Sequence, residues 1–204
     1  MNFLITAGPT REFLDPIRYI SNRSSGKMGY ALSRAALRHG HVTLVSGPVA
    51  LKPPAGVEFV PVMTAAEMAK AVFARYAKAD VVIMAAAVCD FRPRKVAGSK
   101  IKKQKFAGKL ELVPTIDILA ELGRRKRRQV LVGFAAETDN LERNAVHKLR
   151  RKKLDFIVAN DVSAFDADTN RVMIIGRDRR EKLPEISKAR VAVEIVKRAI
   201  AIRA

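Results

Sequence analysis

Asp80-Val81-Val82-Ile83-Met84-Ala85-Ala86-Ala87 is a continuous apolar run with its β-branched residues at the start. A strand buried on both faces reads this way, and such strands belong to parallel sheets covered by helices. Just upstream, Thr64-Ala65-Ala66-Glu67 has the spacing of a capping box, and Met68, Val72, Phe73 and Tyr76 then recur at helical intervals. Val57 to Val62 reads as the strand before that helix, and His41 to Ser46 as another, with a Pro/Gly-rich loop through Gly56 between them. The pattern from Lys27 to Arg38 is helical and closes at Gly40, with Arg38 and His39 in its last turn. Phe3-Leu4-Ile5-Thr6 is a buried first strand, and Gly8-Pro9-Thr10 a tight turn at its C-terminal end. Strand, helix, strand thus repeats, which predicts an α/β fold with a doubly wound, mostly parallel, Rossmann-like sheet.

Beyond Ala87 the texture changes. Cys89 to Pro93 leads into a polar loop, and residues 94–113 read as an inserted lysine-rich flap or hairpin ending in the alternating strand Lys109 to Val113. Thr115 to Leu122 is predicted helical, Gln129 to Phe134 a strand, and Asp139 to Leu154 a helix on the stripe Leu141, Ala145, Leu149. Phe156 to Ala159 is expected to be the last buried strand. Arg171 to Gly176 with Glu181 to Leu183 predicts a terminal β-hairpin, and Ile186 to Ile202 a closing amphipathic helix. At 204 residues, with no internal repeat, one domain is expected.

The balance of 39 basic against 20 acidic residues, a formal +19, draws polyanions, whether nucleic acid or phosphorylated small molecules. Aromatics make up only 6% and there is no Trp, so stacking-based RNA readout has little support. The run Arg124 to Arg128 follows a helical pattern and reads as a solvated helix end complementing the dipole. No apolar run approaches a membrane span and the N-terminus lacks a leader pattern, so a cytoplasmic location is expected. The lone Cys89 fits a reducing compartment and packs as a small apolar residue.

Between the first strand and first helix lies Arg18-Tyr19-Ile20-Ser21-Asn22-Arg23-Ser24-Ser25-Gly26-Lys27-Met28-Gly29. A Ser/Gly loop running into a helix leaves backbone N–H groups unpaired at the positive end of the dipole, a ready phosphate site. Ser24 and Ser25 add hydroxyls, Lys27, Arg18 and Arg23 add charge, and Asn22 suits an orienting role. A basic loop with an N-capping serine is the simpler alternative. The loop is neither a Walker sequence, since Met28 follows Gly26-Lys27, nor a dinucleotide fingerprint, since Ala7-Gly8-Pro9-Thr10 follows the first strand. Polar residues also gather after the later strands: Asp90, then Gly133 to Thr138, then Asn160 to Ser163. Ligands of open α/β sheets bind at that rim. Asp90 is the best carboxylate, as a magnesium contact or hydrogen-bond acceptor, with pairing to Arg92 as the alternative. Lys148 and Lys152 share a helix face, which from spacing alone favours a solvated pair. His39, His41 and His147 lack metal-ligand spacing.

In several stretches the chain closely resembles phosphopantothenoylcysteine synthetase, the ligase domain of the bacterial coenzyme A biosynthesis flavoproteins. The matching runs are Ile5 to Arg11, Asp15 to Gly29, Ala85 to Pro93, Lys100 to Lys103, Val132 to Thr138 and Ile157 to Ser163. The resemblance implies a ligase. The carboxylate of phosphopantothenate attacks the α-phosphate of CTP, and cysteine then displaces CMP from the acyl-cytidylate. It implies that Asn22 handles the acyl-cytidylate, Arg18 acts in its use, and Lys100 is needed for activation. It makes Met84, Ala85, Ala86, Asp90, Thr115, Ile116, Asp117, Ile118, Phe134, Lys148 and Lys152 nucleotide contacts; the phosphate loop adds Ser24, Ser25, Gly26 and Lys27 as nucleotide-binding candidates, and Gly8 and Thr10 are candidate contacts to substrate phosphate. Mg2+ is expected with the nucleotide, and CTP is favoured over ATP by the resemblance alone. A homodimer meeting near Lys109 to Val113 is implied, as is a stand-alone synthetase without FMN, its decarboxylase on a separate chain. Pro9 replaces a usual glycine and Thr115-Ile116-Asp117 the usual Asn-Pro-Asp, which bears on contacts there. The competing reading, resting on charge, is a nucleic-acid-binding protein without ligase activity.

Overall fold

The computed structural model describes residues 1–105, 108–137, 140–161, 168–177 and 179–203. The first half runs β1 (Asn2–Ala7), β2 (Arg11–Phe13), β3 (Tyr19–Ser21), α1 (Lys27–Ala36), β4 (His41–Ser46), β5 (Glu58–Pro61), α2 (Ala65–Tyr76), β6 (Val81–Met84) and β7 (Phe91–Pro93). The second runs β8 (Leu112–Pro114), α3 (Ile118–Arg125), β9 (Val130–Glu137), α4 (Leu141–Arg151), β10 (Phe156–Asp161), β11 (Thr169–Asn170), β12 (Val172–Gly176), β13 (Arg180–Lys182), β14 (Ile186–Ser187) and α5 (Lys188–Arg203).

Among the described residues, the main sheet has eight strands in the order β13-β12-β10-β9-β6-β1-β4-β5. The six from β10 to β5 are parallel, and β12 and β13 add an antiparallel edge. Alternation within each strand divides the core into two layers. Phe3, Ile5, Val81 and Ile83 face α1 and α5, while Leu4, Val82, Met84 and Leu131 face α2, α3 and α4. Burying each large aliphatic side chain contributes ~1.5–3 kcal/mol, so β1 and β6 are held firmly up to their last residues. Gly29 brings α1 onto β1: a Cβ there would lie 2.4 Å from Ala7 Cβ and 2.9 Å from the Thr6 carbonyl oxygen. No helix among the described residues is long and apolar enough to cross a membrane.

The predicted sheet class is the one observed, and the element boundaries differ for local reasons. The stretch Asp80 to Ala87 leaves the sheet after Met84. The helix expected from Thr115 starts at Ile118, because Asp117 is its N-cap and accepts from Ala120 N–H at 3.0 Å. Val57 and Val62 fall outside β5, and α4 is shorter at both ends than the predicted helix. Phe156 to Ala159 is not the last buried strand: β12, half of the predicted terminal hairpin, joins the main sheet with Val172, Ile174 and Ile175 buried. Ile186 and Ser187 form β14 rather than the first turn of α5. The flap is an excursion between β7 and β8, which pair antiparallel at its base.

Candidate active site

From β1 the chain moves to β4 on one side, and from β6 to β9 on the other, so the C-terminal ends of β1 and β6 flank the switch point. Ala86 N–H donates to Thr6 Oγ1 at 3.1 Å, and the Ala87 backbone bonds Gly8 O at 2.9 Å and Thr10 N–H at 3.2 Å. Bonds on both sides of Pro9 close this turn without the N–H that proline lacks. Small side chains after β6 leave a cleft of about 360 Å³ above it.

One wall is the loop into α1. Asn22 Nδ2 donates to Ala87 O at 2.9 Å, which fixes the amide across the strand ends. The residue capping α1 is Gly26, with φ +76° and no side-chain cap, rather than a serine. The first turn of α1 thus opens onto the cleft at Lys27, whose Nζ lies 2.7 Å from Asp168 Oδ1. The opposite wall comes from α3 and α4. Lys148 Nζ donates to Phe134 O at 2.7 Å, and buried Lys152 Nζ lies 2.7 Å from Asp117 Oδ1. Burial pushes the Asp117 carboxyl up, but the Lys152 hydrogen bond, the Ala120 N–H and the charges of Lys152 and Arg151 hold it below the ordinary value. Thr115 Oγ1 donates to Cys89 O at 2.5 Å and its N–H to Asp90 O at 2.9 Å, so the Thr-Ile-Asp variant keeps both the loop and the helix cap.

The structure brings together on this cleft Asn22, Ser24, Ser25, Gly26, Lys27, Met84, Ala85, Ala86, Asp90, Thr115, Ile116, Asp117, Ile118, Phe134, Lys148 and Lys152. Four candidates lie elsewhere. Gly8 and Thr10 are buried beneath the loop, where Thr10 Oγ1 accepts from Cys89 N–H at 2.9 Å. Cys89 is buried there too, and burial pushes its thiol up. Arg18 and Lys100 do not line the cleft. Arg18 forks onto Asp15 Oδ2, with Nη2 at 2.6 Å, and donates to Ile101 O at 2.5 Å; Lys100 is exposed. Thr138, Val162 and Ser163, parts of the matched runs, lie outside the described residues.

Asn160, Asn170 and Lys188 also line the cleft, and all three are more than nine-tenths buried. Among the described residues Asn170 Oδ1 has no hydrogen-bond partner. Periodicity placed Asn170 just ahead of a hairpin and Lys188 inside a helix, hiding both. The usable signal was a lysine at a helix start, where the dipole disfavours a cation. Among the described residues no group of three or more His, Cys, Asp or Glu could hold a metal.

Residues 1–202 match the family model described as the DNA/pantothenate metabolism flavoprotein C-terminal domain. The coenzyme A biosynthesis bifunctional protein CoaBC of Bacillus subtilis is 52% identical over 200 residues, covering 95% of this chain and 49% of that protein. The chain thus spans about half the length of the curated relatives it matches. The crystal structure of the C-terminal domain of a CoaBC protein superposes with a TM-score of 0.86 at 45% identity, over 98% of this chain and 95% of that one. A Cab2 variant in complex with phosphopantothenate-cysteine shares the fold, with a TM-score of 0.81 at 17% identity over 98% of this chain and 87% of that one. With sequence and fold agreeing over nearly the whole chain, it belongs to the family of DNA/pantothenate metabolism flavoprotein C-terminal domains.

Proposed function

We propose that residues 1–204 act as one synthetase domain joining phosphopantothenate to the amine of L-cysteine. A carboxylate oxygen of phosphopantothenate attacks the α-phosphorus of CTP; the bond to the bridging oxygen breaks and pyrophosphate leaves. The cysteine nitrogen then attacks the acyl carbon of the cytidylate, gives up a proton, and CMP departs as the amide forms.

The observation carrying this reading is the composition of the cleft. The N-terminus of α1 with Lys27 faces Lys148 and Lys152 across the cleft, and Asn22 is fixed by the Ala87 carbonyl. That set suits a polyphosphate, with donors in place where charge develops at phosphorus. Ala85, Ala86 and Phe134 supply an apolar seat for the nucleoside. The relatives act in coenzyme A biosynthesis by name, which supports the substrate assignment. Cytosine is carried over from the bacterial family rather than read from a side chain.

Magnesium is proposed as a companion of the nucleotide. Asp90 is an exposed carboxylate on the cleft wall, which fits an ion held mainly by phosphate oxygens with one protein carboxylate. When bound, such an ion neutralises charge on the triphosphate. The reaction transfers no electrons, so no flavin is proposed for this chain, and a cytoplasmic setting is proposed with it. A homodimer is also proposed. Phe91, Leu110, Leu112 and Ile116 are exposed large hydrophobics on and beside β7 and β8, and a second copy of the chain would cover them.

The test is pyrophosphate release by purified protein with magnesium, phosphopantothenate and either CTP or ATP, with and without cysteine. The expected result is release that requires phosphopantothenate, amide formation only with cysteine, and faster turnover with CTP. Failure of both nucleotides to turn over would overturn the ligase reading. Salt-sensitive RNA binding without turnover would instead favour the nucleic-acid reading.

A further inference from the structure

Asp15 is a fully buried carboxylate that touches neither the cleft nor the hydrophobic core, and it holds two distant segments together. Its Oδ1 accepts from the backbone N–H of Ile17 at 2.9 Å and of Arg18 at 2.8 Å, forming the turn that starts the Asn22 loop. Its Oδ2 accepts from Arg18 Nε at 3.0 Å and Nη2 at 2.6 Å, and from Ile101 N–H at 3.1 Å. Arg18 Nη2 returns to Ile101 O at 2.5 Å, and Ala97 N–H donates to Leu14 O at 2.9 Å. Burial pushes this carboxyl up, but the Ile17, Arg18 and Ile101 bonds outweigh it and hold the group well below the ordinary carboxylate range. Ile101 adjoins Lys100, so the strap joins the two residues, Arg18 and Lys100, that the resemblance to the synthetase family marks as candidates although neither lines the cleft.

We propose that Asp15 is a positioning residue that locks Arg18 and the Lys100 flap into one unit, through its two oxygens and the Ile101 backbone. Its oxygens divide the work. Oδ1 shapes the turn, and Oδ2 straps the flap. Asp15→Asn separates the two, because an amide can keep its oxygen on the Ile17 and Arg18 N–H groups while its NH2 meets the Arg18 guanidinium and Ile101 N–H, donor against donor. On the reading that Lys100 acts in activation, its displacement by about 1 Å costs on the order of 10²-fold in rate.

The inference rests on the ligase reading for its kinetic consequence only; the strap itself is tested without activity. Limited trypsin digestion with peptide mapping reads cleavage after Lys100, Lys102 and Lys103. Asp15→Asn is expected to speed cleavage there about 10-fold, in line with a flap freed to open locally, and to leave other sites unchanged. Arg18→Lys keeps the charge but cannot fork onto Asp15 and Ile101 O together, so it is expected to loosen the same sites even if Asp15→Asn fails to fold. In turnover, Asp15→Asn lowers kcat about 10²-fold with the KM for nucleotide little changed, and Asp15→Asn with Lys100→Ala is no worse than Lys100→Ala alone. Wild-type cleavage rates in both variants, or kinetic losses that multiply, would overturn the proposal. A wild-type protein without turnover would contradict the ligase reading and leave the digestion result to judge the strap.

Discussion

Two basic regions lie at opposite ends of the sheet, and they hold their charge differently. In the cleft three lysines have fixed partners: Lys27 on Asp168, Lys148 on the Phe134 carbonyl, Lys152 on Asp117. At the other end lie two larger hollows, one of about 840 Å³ lined by the C-terminal ends of α3 and α4 and the turn after β12, the other of about 990 Å³ between the ends of α2 and α3. There Arg127, Arg150, Lys153 and Arg177 are exposed and have no acidic partner among the described residues. Hollow size and charge alone would favour the second region. Preorganisation favours the first, since a cation already held in place costs little entropy when a phosphate arrives.

Removing a fixed cation should therefore do the most damage. Lys152→Ala is expected to lower kcat/KM for the nucleotide by about 10²-fold or more, measured by pyrophosphate release at saturating phosphopantothenate. A smaller effect is expected at the support of the exposed band. Tyr76 Oη donates to Leu122 O at 2.9 Å, satisfying a carbonyl in the last turn of α3. Tyr76→Phe should cost about 1 kcal/mol in denaturant unfolding near neutral pH and leave turnover unchanged. Burial, with the charge of Asp155, pushes the Tyr76 hydroxyl from 10.0 up to about 12. The contribution is therefore complete below pH 10 and fades as pH rises toward 12, so wild type and variant should converge over that range. The smallest effect on activity is expected for Arg150→Glu with Arg177→Glu. Turnover should stay within about twofold, because exposed charges beyond the ~8 Å screening length contribute little. Retention on a heparin column should fall in the same variant. If turnover fell with it, the contrast between fixed and solvated charge would fail.

Much of this architecture is legible without coordinates, for physical reasons that also mark where legibility stops. Long apolar runs such as Val81 to Met84 and spaced stripes such as Leu141, Ala145, Leu149 announce their elements. The cleft residues follow because they stand at strand ends, where this sheet class binds ligands. Three-residue strands carry no usable period, so nothing in the predicted loop announces the β2–β3 hairpin. Ser25 and Gly26 are both common at helix starts, and only the backbone angle of Gly26 decides between them. Asp15 and Ile101 are 86 residues apart, and nothing local in either predicts the bond between them. Lys148 and Lys152 show the same limit from the other side. Their spacing alone favoured solvent, and the partners that hold them in the cleft, Phe134 O and Asp117, come from other elements.

The most direct test of the central claim is the identity of the leaving group in a single turnover. Rapid-quench analysis of the wild-type protein with labelled CTP and phosphopantothenate, cysteine omitted, should show pyrophosphate formed in one burst equal to the sites present. CMP should follow only when cysteine is added. Release of orthophosphate and CDP instead would mean attack at the γ-phosphorus, and would contradict an acyl-cytidylate formed in this cleft.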